Sequence, residues 1–120
     1  MLLNGGYPLI GTKTLEFMTM NQLPSNSDAK SIVYNQGYTE IVQKGVGFGL
    51  GFSVQLRNGN ETGMRVSDGF GQYCTPMTYG WGGAAETVFW IDPQLQFGVV
   101  FMTQLLSNDR QKFDIRYELR

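Results

Sequence analysis

The fold is decided by one stretch of sequence, Thr78-Tyr79-Gly80-Trp81-Gly82-Gly83-Ala84-Ala85-Glu86-Thr87-Val88-Phe89-Trp90-Ile91-Asp92-Pro93. Three glycines in four positions remove Cβ atoms where the backbone must come into contact with another group. The apolar run over residues 86–91 predicts a strand, and Asp92-Pro93 predicts the turn that ends it. We interpret the stretch as a strand edge that faces a ligand. The alternative is that its glycines only permit close packing.

The composition indicates one small β-rich domain. Of the 120 residues, 42% are hydrophobic, which is enough apolar material for a core. The 16 glycines are nearly twice the ordinary share of roughly 7%, which favours strands and tight turns over a helical bundle. The net charge of -1 provides no basic field for nucleic acid and no polybasic patch for a membrane. We therefore expect a single domain over residues 1–120 that binds neither.

Two features of the composition limit the chemistry. The sequence has one cysteine, Cys74, and no histidine. An internal disulfide, the usual zinc ligand sets and every histidine-based catalytic triad are therefore excluded, and we expect no metal and no cofactor. No basic start with an apolar run predicts a signal peptide, and no segment approaches the ~20 apolar residues of a membrane span. The compartment is therefore left open.

Periodicity predicts the elements of the first half of the chain. Residues 12–20 have a helical apolar stripe, and Thr12 can cap its start. Residues 25–44 are polar and lack a clear period, so we expect a loop excursion there. Residues 45–56 alternate between apolar residues and glycine or polar residues, which predicts one strand. A hairpin turn is expected at residues 57–60.

The end of the chain carries two further patterns. Residues 97–105 form a continuous apolar run, typical of a central strand that is buried on both faces. A short turn joins this run to the preceding strand, which predicts an antiparallel hairpin. Residues 109–120 are ambiguous, because Ser107-Asn108-Asp109 is a good helix cap whereas the apolar residues that follow alternate as in a strand. We predict a helix there.

Five segments together resemble a known family. They are Met1-Leu2-Leu3-Asn4-Gly5-Gly6, Val46-Gly47-Phe48-Gly49-Leu50-Gly51-Phe52, Tyr79-Gly80-Trp81-Gly82-Gly83-Ala84-Ala85, Phe89-Trp90-Ile91-Asp92-Pro93 and Phe101-Met102-Thr103-Gln104-Leu105. In this order they are similar to the C-terminal part of the serine β-lactamase and penicillin-binding-protein superfamily. The nearest likeness is to the class C β-lactamase-like esterases. The resemblance implies an α+β fold, in which a three-stranded antiparallel sheet with flanking helices forms the C-terminal part of an α/β/α sandwich.

The resemblance also implies an active site built from three boxes, S-x-x-K, Y-x-N and K-T-G. Trp81-Gly82-Gly83 occupies the place of the third box. By this likeness the Ala84 N–H, next to Gly83, is one donor of the oxyanion hole, and Tyr79, Trp81 and Gly82 line the substrate site. Because Trp81 and Gly82 replace the lysine and threonine that would bind a carboxylate, we expect a neutral ester or amide substrate rather than an anionic β-lactam.

The first two boxes have no convincing counterpart. Ser27-Asp28-Ala29-Lys30 matches S-x-x-K literally, but it lies in a polar stretch without apolar periodicity, and we do not assign it the nucleophile. We therefore expect the catalytic serine and lysine in a missing N-terminal portion, and no activity from this chain alone. Two rival interpretations stay open. One is a non-catalytic module that hides an exposed sheet face by dimerising or by docking with a partner chain, and the other is a separately encoded half of an enzyme.

Overall fold

The computed structural model describes residues 1–32, 45–56 and 74–104. Two short 3-10 helices, Leu2–Asn4 and Pro24–Asn26, accompany two α-helices and five strands. These are α1 (Thr12–Met18), α2 (Ala29–Ile32), β1 (Val46–Phe48), β2 (Ser53–Gln55), β3 (Tyr79–Gly82), β4 (Val88–Asp92) and β5 (Phe97–Phe101). The expected loop over residues 25–44 thus begins with two helical turns. Its remainder, the hairpin turn at 57–60 and the helix at 109–120 lie outside the described residues.

The five strands form one antiparallel sheet in the order β1-β2-β3-β4-β5, so every strand pairs with its neighbour in sequence. Tyr79 pairs with Ile91 and Gly82 with Val88 in the β3–β4 hairpin, and Asp92 pairs with Phe97 in the β4–β5 hairpin. The α+β class and the antiparallel hairpins are confirmed. The expected number of three strands is too small. Residues 78–93 contain two strands rather than one, and so do residues 45–56.

Residues 45–56 form a hairpin and not the single strand that their alternation predicts. The chain turns between β1 and β2, where Gly51 adopts a φ of 99° and the Gly49 N–H donates to the Phe52 carbonyl at 2.8 Å. A positive φ is accessible to glycine at little cost. The alternation continues unbroken through the turn, so the period of two could not reveal it. The sequence feature that could have indicated the turn is the presence of glycine, which can adopt the positive φ found at Gly51.

The prediction of a central strand at residues 97–105 is also wrong among the described residues. β5 pairs only with β4 and lies at the edge of the sheet. Phe97 and Val100 are exposed, whereas the sequence pattern is that of a strand covered on both faces.

One face of the sheet is covered by the N-terminal segment. The prediction of a helix over residues 12–20 is confirmed by α1, although Gly11 rather than Thr12 precedes its first turn, without a side-chain cap. Leu15 projects from α1 into a core that contains side chains from β2, β3 and β4. The buried members are Leu15, Val54, Tyr79 and Ile91, with Leu2, Leu3, Ile10, Phe52 and Phe89 packed against them.

Val54 provides a direct test of this core, because it is a fully buried side chain in the middle of β2. We expect Val54→Ala to lower the free energy of unfolding by about 2 kcal/mol, since it removes two methyl groups and leaves a cavity. Urea denaturation would measure the change. The matched control is Val100→Ala on the exposed part of β5, where a change within about 0.5 kcal/mol is expected. Equal losses at both positions would contradict the assignment of the core.

The turn after β4 is organised by the carboxylate of Asp92, which is 2% exposed. Its Oδ1 accepts hydrogen bonds from the Thr75 hydroxyl at 2.6 Å and from the N–H groups of Gln94 and Leu95, each at 3.0 Å. Its Oδ2 accepts one from the Thr75 N–H at 3.0 Å. Burial alone would raise the pKa of Asp92, but these hydrogen bonds outweigh it and lower the pKa below the usual value. The carboxylate therefore ties the chain before β3 to the β4–β5 turn.

Candidate functional site

The candidate site is the turn that joins β3 to β4. The Gly83 N–H donates to the Thr87 carbonyl at 2.9 Å, and the Glu86 N–H donates to the Gly83 carbonyl at 3.1 Å. The second bond closes a four-residue turn in which Ala84 and Ala85 are the central residues. Glu86 follows in the left-handed region with a φ of 59°. Ala84 is thereby held at the exposed tip of a hydrogen-bonded turn.

Within residues 1–32, 45–56 and 74–104, no strand covers the outer edge of β3 beside this turn. β2 pairs with β3 only through Val54 opposite Tyr79 and Ser53 opposite Gly80, so β3 extends past the end of β2. Because the Gly83 N–H points towards β4, the alternation along β3 directs the backbone groups of Gly82 away from β4. The Gly83 carbonyl accepts from Glu86 inside the turn, so the N–H of Ala84, on the other side of the same trans peptide, points in the opposite direction. Among the described residues no backbone group accepts a hydrogen bond from the Ala84 N–H.

Aromatic side chains border the open edge. The Trp81 ring lies edge-on to the Phe48 ring, with centroids 5.3 Å apart and an interplanar angle of 76°. Phe52 lies between Tyr79, at 5.2 Å, and Phe89, at 6.2 Å. Such edge-to-face contacts hold the rings in defined orientations. A single strand over residues 45–56, as the alternation predicts, does not bring Phe48 and Phe52 to this site; the hairpin between β1 and β2 does.

Two of the glycines are explained by close packing within the hairpin. A Cβ atom at Gly80 would overlap the carbonyl oxygen of Phe89, and a Cβ atom at Gly83 would overlap the hydroxyl of Thr87. The first of these neighbours is backbone and has little freedom to move. The alternative explanation, that glycines permit close packing, therefore holds at these two positions. Close packing does not explain what the backbone groups that face away from β4 do.

Tyr79 is separated from the other predicted site residues by its burial. Its side chain packs in the core with Leu15, Val54 and Ile91, and burial raises the pKa of the phenol. A cavity of about 340 Å³ adjoins it and is lined mainly by apolar residues. Met77 and Pro93 line this cavity, which places it at the end of β3 opposite Ala84. The structure thus brings Trp81, Gly82, Gly83 and Ala84 together, with Tyr79 below them in the core.

The Ser27 hydroxyl takes part in a local turn. Its Oγ donates to the Pro24 carbonyl at 2.6 Å. Asp28 accepts hydrogen bonds from the N–H of Ser31 at 2.9 Å and from the N–H of Gly45 at 3.1 Å, which attaches α2 to the start of β1. α2 accordingly packs against β1, which is two strands away from β3 in the sheet. The location of the nucleophile outside this segment stays a prediction.

Comparison with known families decides what kind of protein carries this turn. A sequence model of the family described as Beta-lactamase matches residues 16–120, which is most of the chain. The chain belongs to the beta-lactamase family. The resemblance proposed from the five sequence segments is therefore confirmed at the level of the superfamily, and with it membership of a superfamily of serine hydrolases. No curated protein matches the chain.

Two further observations bear on this beta-lactamase family member. Within residues 1–32, 45–56 and 74–104, no group of three or more His, Cys, Asp or Glu side chains is placed to hold a metal ion. In the same part of the chain, no helix is long and apolar enough to cross a membrane. The described candidate site consists of the backbone of Gly82 and Ala84 beside the half-buried ring of Trp81.

Proposed function

We propose that this chain supplies the oxyanion-hole strand of an esterase-like serine hydrolase, with the nucleophilic serine and its lysine provided by residues outside these 120. One observation carries the proposal. In the part of the chain that the structure describes, no strand pairs with the outer edge of β3 at Gly82, and no backbone group accepts a hydrogen bond from the Ala84 N–H. Fixed backbone donors of this kind stabilise a developing oxyanion because they need no reorganisation during the reaction.

In the proposed reaction the serine oxygen attacks the carbonyl carbon of an ester. The carbonyl oxygen becomes an oxyanion, which accepts hydrogen bonds from the Ala84 N–H and from the N–H of the nucleophile. The C–O bond to the alcohol then breaks, the alcohol leaves with a proton, and an acyl-enzyme is formed. Water hydrolyses this intermediate through a second tetrahedral state that uses the same two donors. The contribution of this chain is the position of one donor and the shape of the acyl pocket.

The proposed substrate class is a neutral acyl group. Trp81 presents an aromatic surface supported by Phe48, and neither side chain carries a charge. Lys13 on α1 is the only basic side chain that the structure describes, and its Nζ lies 2.9 Å from Glu16 Oε2 on the same helix. The described residues of β3 therefore offer no cation to a substrate carboxylate.

This preference can be measured on the assembled hydrolase. We expect kcat/KM for p-nitrophenyl butyrate to exceed that for a carboxylated cephalosporin by at least about tenfold, since an unpaired carboxylate beside an apolar wall costs more than ~1.4 kcal/mol. Trp81→Lys should narrow the ratio by improving the anionic substrate, while Trp81→Phe serves as the matched control that keeps an uncharged aromatic ring. Faster turnover of the cephalosporin by the unmodified protein would rule out the substrate class.

The proposal that the nucleophile lies outside these residues is tested on the purified 120-residue chain. It is incubated with p-nitrophenyl acetate and butyrate, and a second sample is treated with a fluorophosphonate probe and examined by mass spectrometry. We expect neither turnover nor an adduct. Saturable turnover with an adduct on Ser27 would mean that the local Ser-Asp-Ala-Lys sequence forms a complete site.

A further inference from the structure

Thr87 lies where the β3–β4 turn enters β4, and it contacts Gly83 in two ways. Its carbonyl accepts the hydrogen bond from the Gly83 N–H at 2.9 Å. Its hydroxyl lies in the space that a side chain at Gly83 would occupy. The two residues are opposite each other, one pair beyond Gly82 and Val88. Because opposed residues have their side chains on one face of a sheet, the hydroxyl covers Gly83 on the face that also carries Trp81.

The direction of the Ala84 N–H depends on the backbone conformation of Gly83. The Gly83 carbonyl, which accepts from the Glu86 N–H at 3.1 Å, belongs to the same planar peptide as the Ala84 N–H. A rotation of the Gly83 backbone would therefore turn both groups together. Glycine restricts such a rotation less than any other residue, because it has no side chain. The contact from Thr87 supplies the restriction that Gly83 itself lacks.

Thr87 is itself held firmly enough to act in this way. Threonine is branched at Cβ, so its side chain has few favourable rotamers. The residue is half-buried, and the next residue, Val88, is buried in a cluster with Trp90. β4 pairs with β3 on one side and with β5 on the other. The Thr87 side chain is therefore attached to a strand that is paired along both edges, and rigid elements of this kind hold site geometry better than loops do.

We propose that Thr87 is a positioning residue: by packing against Gly83 it fixes the Gly83–Ala84 peptide, and with it the direction of the Ala84 N–H. This inference rests on the proposed function of that N–H as an oxyanion-hole donor. In this role the side chain acts by its shape, because the space beside Gly83 must be filled. Serine keeps the oxygen atom and valine has a methyl group in its place, so both should replace threonine. Alanine fills none of the space and should not.

The effect of Thr87 on Gly83 is measured by amide hydrogen exchange on the 120-residue chain, which requires no nucleophile. Exchange of the Gly83 N–H reports how often its bond to Thr87 opens. We expect Thr87→Ala to raise this rate at least about fivefold, and Thr87→Ser and Thr87→Val to change it by less than about twofold. The Gln55 N–H, bonded to the Thr78 carbonyl at 2.8 Å, is the internal control for overall stability. Unchanged exchange at Gly83 in Thr87→Ala, or an equal rise at Gln55, would overturn the proposal.

The consequence for catalysis is measured on the assembled hydrolase with p-nitrophenyl butyrate. We expect Thr87→Ala to lower kcat about tenfold and to leave KM within about twofold, because a misdirected oxyanion donor weakens binding of the transition state and not of the ester. Thr87→Ser and Thr87→Val should both retain the kcat of the parent enzyme within about threefold.

Two comparisons separate the possible failures. A loss of kcat in Thr87→Val but not in Thr87→Ser would mean that the hydroxyl acts on the substrate directly, and it would overturn the positioning role. Ala84→Pro distinguishes this inference from the proposed function, since it removes the donor itself. Full activity of Ala84→Pro would reject the donor and the inference that rests on it. Loss of activity in Ala84→Pro without any loss in Thr87→Ala would reject the role of Thr87 alone.

Discussion

Replacing Ala84 with proline is expected to lower kcat for ester hydrolysis in the assembled enzyme by about 10²–10³-fold, the usual cost of losing one oxyanion-hole donor. Proline has no N–H, so it removes the group that we propose as the donor. Ala84 is the second residue of the turn closed by the Glu86–Gly83 hydrogen bond, a position at which proline is favoured. The substitution should therefore delete the donor and leave the hairpin intact.

The control for this prediction is Ala84→Gly, which retains the N–H and the exposed position at the tip of the turn. We expect it to change kcat by no more than a few fold, with both variants showing the thermal stability of the parent protein. Burst kinetics with a p-nitrophenyl ester would show whether the loss falls on formation of the acyl-enzyme. If the proline variant retained full kcat with an intact fold, another group would have to supply the donor.

Asp92→Ala is expected to lower the free energy of unfolding by about 3–5 kcal/mol, the largest effect on stability anticipated in the described part of the chain. The substitution leaves the Thr75 hydroxyl and the N–H groups of Thr75, Gln94 and Leu95 without their common acceptor. Hydrogen bonds to a buried charged group contribute more than neutral ones, and the unpaired donors add a desolvation cost. Chemical denaturation at neutral pH would measure the loss.

The same carboxylate predicts how stability depends on pH. Its pKa in the folded protein lies below the value near 3.9 of an unfolded chain, so its contribution is complete above that value. The contribution is lost as the pH falls below ~4 and through the folded pKa. Asp92→Asn keeps one acceptor oxygen without the charge, so we expect a smaller loss at neutral pH and a flatter acid profile. A wild-type acid limb unchanged in Asp92→Asn would contradict this assignment.

Much of the fold followed from local patterns in the sequence. α1, the β4 strand with its Asp92-Pro93 turn and the antiparallel class were predicted correctly, because an apolar stripe or a turn residue marks each of them. Two errors concern strands. The hairpin in residues 45–56 was missed because apolar alternation passes through its turn, and β5 was placed centrally because its composition is that of an inner strand. The composition of a strand indicates how its two faces are covered, whereas its backbone pairing determines which strands lie beside it.

The candidate site was predictable only in part. Clustered glycines and family resemblance coincide at residues 81–84 and single out this backbone as the candidate, and its role stays a prediction. The contact of Phe48 with Trp81 was not predictable, since it depends on a hairpin that brings two distant segments together. The left-handed conformation of Glu86 was not foreseen either, because that region is usually occupied by glycine or asparagine.

The order of the strands has a consequence for how the sheet assembles. The hairpins β1–β2, β3–β4 and β4–β5 are each joined by four or five residues, so their contacts are local and their loops cost little entropy to close. Among the described strand pairings, only that of β2 with β3 joins segments separated by more than twenty residues. Among these pairings, that closure has the largest topological cost. It completes the described sheet by joining the β1–β2 hairpin to β3, β4 and β5.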